Sequence, residues 1–227
     1  MSEQDVQKRA AAERALQQVE SGMLLGVGTG STARYFIEGL AIRAAEGLRV
    51  TAVPTSRASS EMLEAAGIPV VEDVDRELDL AIDGADEVDP ALNLVKGHGG
   101  ALFREKLVAV SAARFVVIVD ESKVVERLGQ TFVPAEILPF MWRQTAGRVA
   151  PLCTSWVLRG GVDQPYRTDS GNLILDLTFE GGISDLEATA SALKATTGVL
   201  EHGLFTGLAT ACLVAGPSGV RELLRTT

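Results

Sequence analysis

Cysteine, histidine, aromatic residues and long apolar runs are all scarce in this sequence. Its 227 residues include two cysteines, two histidines and 5% aromatic residues. Because Cys153 and Cys212 lie far apart and form no Cys-x-x-Cys pair, we expect two reduced, buried thiols rather than a disulfide framework. No apolar run approaches the ~18 residues of a membrane span, and the charged first residues lack the apolar core of a signal peptide. The sequence thus predicts a soluble, cytoplasmic protein with no membrane partner.

Positive charge is also in short supply. Lysine and arginine number 21 against 30 aspartates and glutamates, which gives a net charge of −9. We therefore expect no nucleic-acid partner, because phosphate backbones are bound by basic faces. A small phosphorylated ligand is compatible with this charge, since backbone N–H groups and one or two lysines hold a single phosphate.

What the sequence does contain is a regular alternation of short apolar runs and helical patterns over its first 120 residues. This alternation predicts a parallel sheet with helices on both faces. Four polar clusters directly follow predicted strands, at residues 29–32, 83–87, 96–100 and 120–123. In open α/β sheets, ligands bind at the carboxyl ends of the strands. We therefore expect the four clusters to share one edge of the sheet.

The alternation of short apolar runs and helical patterns ends after about Leu128. For this half we predict a helix over 142–156 despite Pro151, a hairpin pairing 166–168 with 173–179, a helix over 184–196 capped by Ser184 with Glu187, and a short final helix after Pro217. The apolar run 206–215 is expected to return to the main sheet. The predicted fold is a doubly wound, mostly parallel, Rossmann-like α/β domain (1–129 and 206–227) with a smaller inserted α+β domain (130–205).

A glycine-rich turn lies between the first predicted strand and the next helix, with the sequence Gly-Val-Gly-Thr-Gly-Ser-Thr from Gly26. It lacks the lysine of a Walker A loop, and Ser31 occupies the third glycine position of the dinucleotide fingerprint. The hydroxyls of Thr29, Ser31 and Thr32 favour a phosphate monoester at the helix N-terminus. A simple tight turn with Ser31 as the helix cap is the alternative.

Three carboxylates, Asp83, Asp86 and Glu87, follow the strand that ends at Ile82. A solvated acidic turn and a divalent-cation site are the alternatives to a catalytic use. The spacing does not match a calcium loop, and no histidine lies at zinc-ligand spacing from these residues. We predict no metal site.

Glu105 lies in the first turns of a predicted helix that follows the glycine-rich loop at Lys96–Gly100. An apolar stripe of Phe103, Leu107 and Val110 would leave Glu105 nearly opposite the core, where a glutamate is usually only solvated. The preceding loop changes this interpretation, because its N–H groups can stabilise an oxyanion. A carboxylate base beside an oxyanion hole is suited to removing a proton next to a carbonyl.

Four segments together resemble the ribose-5-phosphate isomerase type A family. They are Gly-Val-Gly-Thr-Gly-Ser-Thr from Gly26, Asp-Gly-Ala-Asp-Glu from Asp83, Lys-Gly-x-Gly-Gly-Ala-Leu-x-Arg-Glu-Lys from Lys96, and Asp-x-Ser-Lys from Asp120. All four occur in order and with compatible separations, and the similarity covers essentially the whole chain.

The resemblance implies a metal-independent aldose–ketose isomerase without a cofactor, acting between ribose 5-phosphate and ribulose 5-phosphate in the pentose phosphate pathway. It implies that Glu105 is the base that moves the proton, that Asp83 and Asp86 assist ring opening, and that Lys96 with the loop amides stabilises the enediolate. The further substrate-binding residues that it implies are Thr29, Gly30, Ser31, Thr32, Gly84, Ala85, Gly97, His98, Gly99, Lys123 and Lys8. A homodimer or homotetramer is the implied assembly.

Two alternatives share the fold that this resemblance implies. An amino-sugar-phosphate deaminase needs a dedicated acid–base histidine, and His98 is the one candidate near the motifs. A non-catalytic sugar-phosphate sensor would need the glycine and hydroxyl clusters but not Glu105. His98 departs from the family's commoner pattern of a glycine or another small or basic residue, and we expect a backbone contribution from it, with its ring turned outward.

Overall fold

The computed structural model describes residues 2–225. Within this range the helices are α1 (Glu3–Leu16), α2 (Ser31–Ala45), α3 (Arg57–Ala65), α4 (Leu102–Val110), α5 (Trp142–Val149) and α6 (Leu186–Ala195). The strands are β1 (Leu24–Val27), β2 (Thr51–Pro54), β3 (Leu80–Asp83), β4 (Glu87–Val88), β5 (Leu94–Val95), β6 (Phe115–Asp120), β7 (Val133–Ile137), β8 (Ser155–Leu158), β9 (Leu173–Thr178), β10 (Val199–His202), β11 (Leu204–Phe205), β12 (Ala211–Gly216) and β13 (Gly219–Leu224). Short 3-10 helices cover Glu121–Lys123 and Ala150–Leu152.

These elements form two compact units. The first unit holds residues 2–85, Arg104–Val124 and 208–225, and the second holds Asp86–Phe103 and Val125–Gly207. The sequence-based boundaries differ mainly in segment 86–103, which they assign to the first domain. The physical reason is strand pairing, because β5 pairs with β4 on one side and with β11 on the other, and none of the three joins the large sheet.

The first unit is built on a six-stranded sheet of order β13-β12-β6-β3-β1-β2. Adjacent strands in this sheet are parallel, except that the edge strand β13 is antiparallel to β12. The predicted mostly parallel α/β sheet is therefore confirmed, as is the return of the apolar run 206–215 to it. The strand β2 lies on one side of β1, and β3 lies on the other. The order in which successive strands are added to the sheet therefore reverses at β1. Ligands of such sheets bind outside the carboxyl ends of the strands at this switch point.

Helices cover both faces of this sheet. One face of β1 and β3 packs into a core with α1, α2 and α3, which includes Leu25, Val27, Leu80, Ile82, Ala12, Phe36 and Leu63. Gly26 faces the opposite way, and a Cβ atom built on it would lie 2.4 Å from Cγ1 of Val108 in α4. The strands are thus buried on both faces, which accounts for their continuous apolar sequences.

The second unit contains a four-stranded antiparallel sheet of order β10-β7-β9-β8 and a three-stranded sheet of order β11-β5-β4. The apolar face of β7 and β9 packs against α5 and α6, with Ile137, Leu175, Val149 and Leu193 in the shared core. The predicted smaller α+β domain is confirmed in kind.

Two predictions about the middle of the chain are wrong. The helix that begins at Trp142 ends at Val149 instead of continuing to Trp156, because Pro151 falls in a 3-10 turn and residues 155–158 form β8. The hairpin partner of β9 is this β8 and not residues 166–168. The turn between Thr168 and Asn172 does form, with Thr168 N–H donating to Asn172 O over 3.0 Å.

Two further corrections concern α6 and the C-terminal region. The N-cap of α6 is Asp185, whose side chain accepts from the Ala188 N–H over 3.0 Å, and not Ser184. The predicted final helix is the strand β13. It pairs antiparallel with β12 across the two-residue turn at Pro217 and Ser218, since a turn this short joins antiparallel strands.

Both cysteines are free thiols in the structure; Cys212 is buried as expected, whereas Cys153 is only partly buried. Burial raises the pKa of Cys212 to about 12 and also raises the pKa of the partly buried Cys153. No helix within residues 2–225 combines the length and the apolar character that crossing a membrane requires.

Candidate functional site

In the first unit, the carboxylate of Asp83 lies against the glycine-rich turn after β1. Its Oδ1 accepts from the Thr29 N–H over 3.1 Å and from the Gly84 N–H over 2.7 Å. A Cβ atom on Gly28 would lie 2.0 Å from both Cγ and Oδ1 of Asp83. A glycine is required at position 28 for this reason. Two of the predicted segments therefore meet at the switch point of the sheet.

This close approach gives a prediction for Gly28→Ala. The new methyl group would force the buried, doubly hydrogen-bonded Asp83 carboxylate away from its N–H donors. We expect a loss of about 1–3 kcal/mol in the free energy of unfolding, measured by urea denaturation. The matched control is Gly147→Ala, where a Cβ atom meets nothing within 4 Å in helix α5. That control should be neutral or stabilising by up to about 1 kcal/mol, and equal stability of the two variants would contradict the prediction.

A cluster of hydroxyl groups supports the same turn and was missed by the sequence analysis. Oγ1 of Thr29 lies 2.7 Å from Oγ1 of Thr55 and 2.8 Å from Oγ of Ser56. Oγ of Ser59 donates to the Gly28 carbonyl over 2.7 Å. The signal was available, because Thr55 and Ser56 directly follow β2 just as the other polar clusters follow their strands. The Thr29 hydroxyl is thus part of an internal network that holds the turn.

The N-terminus of α2 is open at this edge. Gly30 is the N-cap residue with φ +110°, and no side chain caps the helix. The alternative in which Ser31 acts as the cap is wrong, since Ser31 is the first helical residue and is exposed. Thr32 is buried, and a Cβ atom on Gly84 would lie 3.9 Å from its Cβ. Uncapped N–H groups at a helix start favour an anion.

Glu105 lies on the buried face of α4, with only 6% of its surface exposed. The predicted stripe is wrong, because Leu107 and Val110 are more than half exposed while Leu102 and Val108 are buried. Residues 102, 105 and 109 lie on the buried side of the helix. The sequence pattern alone did not show which side of the helix is buried. A glutamate on the core side of a helix is a rarer position than the solvated one that the pattern indicated.

The direction of α4 brings Glu105 toward the carboxyl edge of the sheet. The C-terminal end of α4 lies at the start of β3, since the Leu78 N–H donates to the Ser111 carbonyl over 2.8 Å. The helix therefore runs opposite to the strands. Val108 packs over Gly26 in β1, and Glu105 lies about one turn, ~5 Å, closer to the edge where Asp83 ends β3.

The two predicted lysines of the first unit lie near a turn after β6. Asp120 is buried and caps the 3-10 helix Glu121–Lys123 by accepting from the Ser122 N–H over 3.2 Å. Nε2 of Gln4 lies 3.4 Å from both carboxylate oxygens of Asp120, which brings the first turn of α1 beside this turn. Lys8 follows one helical turn after Gln4. The sequence analysis did not identify this contact between Gln4 and Asp120.

In the second unit, Lys96 is almost completely buried, with 2% of its surface exposed. Its N–H donates to the Gly203 carbonyl over 2.8 Å, and its Nζ lies 5.6 Å from the centre of the Phe205 ring. Contrary to the prediction, the strand before it, β5, is not part of the main sheet. A buried ammonium group is costly unless its surroundings compensate its charge, so Lys96 is a strong functional candidate.

The loop after Lys96 is tied to Asp86. The His98 N–H donates to Asp86 Oδ2 over 3.0 Å, and Nδ1 of the ring lies 3.5 Å from Oδ1. The ring stacks on Phe132 with centroids 3.9 Å apart, and Nε2 lies 2.9 Å from the Phe132 carbonyl. The expected backbone contact is present, but the ring packs against Phe132 instead of turning outward.

Glu87 has a structural position in the second unit. It is buried and accepts from the Gly129 N–H over 2.7 Å and from the Thr131 hydroxyl over 2.6 Å. Among residues 2–225, no group of three or more histidine, cysteine, aspartate or glutamate side chains is placed to hold a metal ion. Of the predicted segments, residues 28–32 and 83–84 meet in the first unit, and Asp86 meets His98 in the second.

Comparison with known proteins identifies the family. The family model described as ribose 5-phosphate isomerase A (phosphoriboisomerase A) matches residues 51–219. The chain is 51% identical over 222 residues to ribose-5-phosphate isomerase A of Roseiflexus castenholzii, covering 95% of this chain and 94% of that protein. The chain belongs to the ribose 5-phosphate isomerase A family. The predicted family, and with it the prediction of an enzyme, is confirmed.

Solved structures of the family have the same fold. Ribose 5-phosphate isomerase from Plasmodium falciparum superposes with a TM-score of 0.93 at 36% identity, covering 98% of this chain and 100% of that one. A D-ribose-5-phosphate isomerase in complex with phospho-erythronic acid gives a TM-score of 0.93 at 38% identity, covering 99% and 100%. The family fold therefore extends over both units of this chain.

Proposed function

We propose that this protein interconverts D-ribose 5-phosphate and D-ribulose 5-phosphate through an enediolate intermediate, in the non-oxidative branch of the pentose phosphate pathway. The observation that carries the proposal, beside family membership, is the burial of Glu105 on the core side of α4, about one helical turn closer to the carboxyl edge of the sheet than Val108. Burying a carboxylate costs free energy, and strongly buried ionisable groups are concentrated at functional sites. A proton-transfer role accounts for this burial.

Glu105 is the proposed base. The reaction requires removal of a proton from C2 of the open-chain aldose and its return to C1, and one carboxylate can do both. Carbon acids beside a carbonyl are weak, so the base acts effectively only where the developing oxyanion is stabilised. Exclusion of water around Glu105 keeps the abstracted proton available for return.

Asp83 and Asp86 are the proposed groups for ring opening and for holding the sugar hydroxyls. Asp83 Oδ1 is fixed by two N–H donors, which sets the orientation of the carboxylate and of its second oxygen. Asp86 is fixed in the same way by the His98 N–H. Carboxylates held this rigidly lose little entropy when they accept hydrogen bonds from a substrate.

Lys96 and the amides of the loop at Gly97–Gly100 are the proposed stabilisers of the enediolate. The buried positive charge of Lys96 and backbone N–H groups that are oriented in advance act strongly on a developing negative charge. The reaction forms an oxyanion and consumes it again within one turnover, so fixed donors need no rearrangement between the steps.

The phosphate is the remaining part of the substrate. We propose that Gly30, Ser31 and Thr32 at the open start of α2 bind the substrate, with Lys123 and Lys8 near its phosphate. Gly84, Ala85 and Gly99 complete the proposed contacts through their backbones. The relative bound to phospho-erythronic acid supports this class of ligand, because a phosphorylated sugar acid combines a phosphate with a planar anionic group as the enediolate does.

The alternatives have less support. A deaminase needs a free acid–base histidine, whereas the His98 ring stacks on Phe132 and bonds its carbonyl. A sensor has no use for a buried Glu105. A homodimer or homotetramer stays a proposal that rests on the resemblance alone.

The test is a direct assay of isomerisation. Purified protein treated with EDTA is mixed with ribose 5-phosphate, and ketose formation is followed. We expect turnover without added metal. Absence of turnover would contradict the proposed activity, and turnover that appears only after a divalent metal is added would contradict the proposed mechanism.

A further inference from the structure

We infer that Arg159 is a positioning residue for the glycine loop, and that it holds the Gly99 amide N–H in the orientation in which that group donates to the enediolate oxygen. The inference rests on the proposed function for the identity of the acceptor. The orientation of the loop by Arg159 stands on the geometry of the second unit alone.

The guanidinium of Arg159 contacts two consecutive carbonyl groups of the loop. Its Nη1 donates to the Gly97 carbonyl over 3.1 Å and to the His98 carbonyl over 3.1 Å. Its Nε and Nη2 are occupied by the two carboxylate oxygens of Asp176, with the Nε contact at 2.9 Å. The bidentate pair fixes the plane of the guanidinium, so Nη1 is held in one direction.

Aromatic side chains hold the same group from other sides. The guanidinium carbon lies 5.6 Å from the centre of the Phe132 ring and 5.7 Å from that of Tyr166. A Cβ atom on Gly100 would lie 2.3 Å from the Tyr166 hydroxyl, so the loop lies directly against this ring. Arg159 and Asp176 are both mostly buried, with side-chain exposures of 14% and 16%. The Arg159 guanidinium is therefore held in one position by contacts within the second unit.

Peptide geometry links these contacts to the Gly99 N–H. In a trans peptide the carbonyl and the following N–H point in opposite directions. Because the His98 carbonyl faces Arg159, the Gly99 N–H faces away from it. The His98 N–H is used by Asp86, and the Gly100 N–H donates to the Gly97 carbonyl over 2.9 Å. Within residues 2–225, no backbone carbonyl accepts a hydrogen bond from the Gly99 N–H.

The charge of Arg159 adds to its orienting effect. A cation at the carbonyl end of a peptide polarises it and makes the N–H at the other end a stronger donor. Stabilising a developing oxyanion requires donors that are oriented before the reaction. A lysine could reach one carbonyl but lacks the planar fork that Asp176 fixes, so it should replace Arg159 only in part.

The experiment compares Arg159→Lys with the double variant Arg159→Gln/Asp176→Asn. The double variant avoids a buried, unpaired Asp176 and so keeps the unit folded. The control is Arg167→Gln, an exposed arginine of the same unit whose Nη1 donates to the Gly171 carbonyl over 3.0 Å. We expect kcat to fall about 10²-fold in the double variant and less in Arg159→Lys, with KM within about threefold of the wild type, because one transition-state donor is misaligned. The control should match the wild type.

A kcat within twofold of the wild type in the double variant would overturn the inference, as would a rise in KM with unchanged kcat. A second measurement separates this inference from the proposed function. In ¹H–¹⁵N spectra we expect the Gly97 and Gly99 amide signals to move in the double variant and to stay in place in Arg167→Gln. Unmoved loop signals would overturn the positioning role even if the wild type proved inactive on ribose 5-phosphate. If the loop signals move in the double variant but the wild type is inactive on ribose 5-phosphate, the positioning role stands and the proposed function is contradicted.

Discussion

Glu105→Gln should lower kcat for ribose 5-phosphate by about 10³-fold or more while the substrate still binds. Glutamine has nearly the shape of glutamate, so it fills the same buried position on α4. It cannot accept a proton from carbon at neutral pH. The loss corresponds to about 4 kcal/mol of transition-state stabilisation.

Two measurements distinguish loss of the base from loss of the site. The dissociation constant for ribose 5-phosphate, measured by calorimetry, should stay within about threefold of the wild-type value. The reason is that Glu105 is proposed to transfer the proton and not to bind the ground-state substrate. The matched control is Glu61→Gln, the same chemical change at an exposed position of α3. Its kcat should equal that of the wild type. If Glu105→Gln keeps more than a tenth of the wild-type kcat, a different group is the base.

Lys96→Met should lower kcat/KM by about 10²- to 10³-fold. Methionine keeps an unbranched side chain of similar length, so the packing against Phe205 is preserved while the positive charge is removed. If the charge stabilises the enediolate, its removal raises the energy of the intermediate and of the transition states on both sides of it. Ground-state binding should change much less than kcat.

The control for this variant is Lys194→Met. Lys194 belongs to the same unit, but its side chain is 55% exposed, and its Nζ donates to the Leu200 carbonyl over 2.8 Å and to the Glu201 carboxylate. Removal of this ammonium should leave kcat/KM within about twofold of the wild type. Thermal unfolding of both variants checks that the second unit is intact. A Lys96→Met variant with at least half of the wild-type kcat/KM would rule out an electrostatic role for this residue.

Much of the first unit could be predicted because its signals are local. A glycine turn after an apolar run, followed by a helical pattern, predicts a βα unit whether or not its neighbours are known. The turn at Gly28 and the acidic residue Asp83 were assigned to one edge of the sheet, and they meet there. The second unit was also recognisable, because the regular alternation of strand and helix patterns ends where most of it begins.

The errors arose where a local pattern allowed two outcomes. The apolar residues of α4 fit more than one stripe, and only packing against Gly26 selects the face that holds Val108 and Glu105. Leu94 and Val95 have the composition of a sheet strand but pair with β4 and β11. The last apolar segment could be helix or strand, and pairing with β12 decides it as β13. Tertiary contacts override weak local preferences in such cases.

The sequence by itself determined the βα alternation, the motifs that start at Gly26, Asp83, Lys96 and Asp120, and through them the family. Only the tertiary structure decided that Glu105 is buried and that Arg159 orients the loop after Lys96. The physical reason is distance along the chain. Arg159 bonds the Gly97 carbonyl across 62 residues, and no periodicity or local propensity encodes a contact between segments so far apart. Motifs of this length identify the reacting groups, whereas long-range packing sets the orientation in which they act.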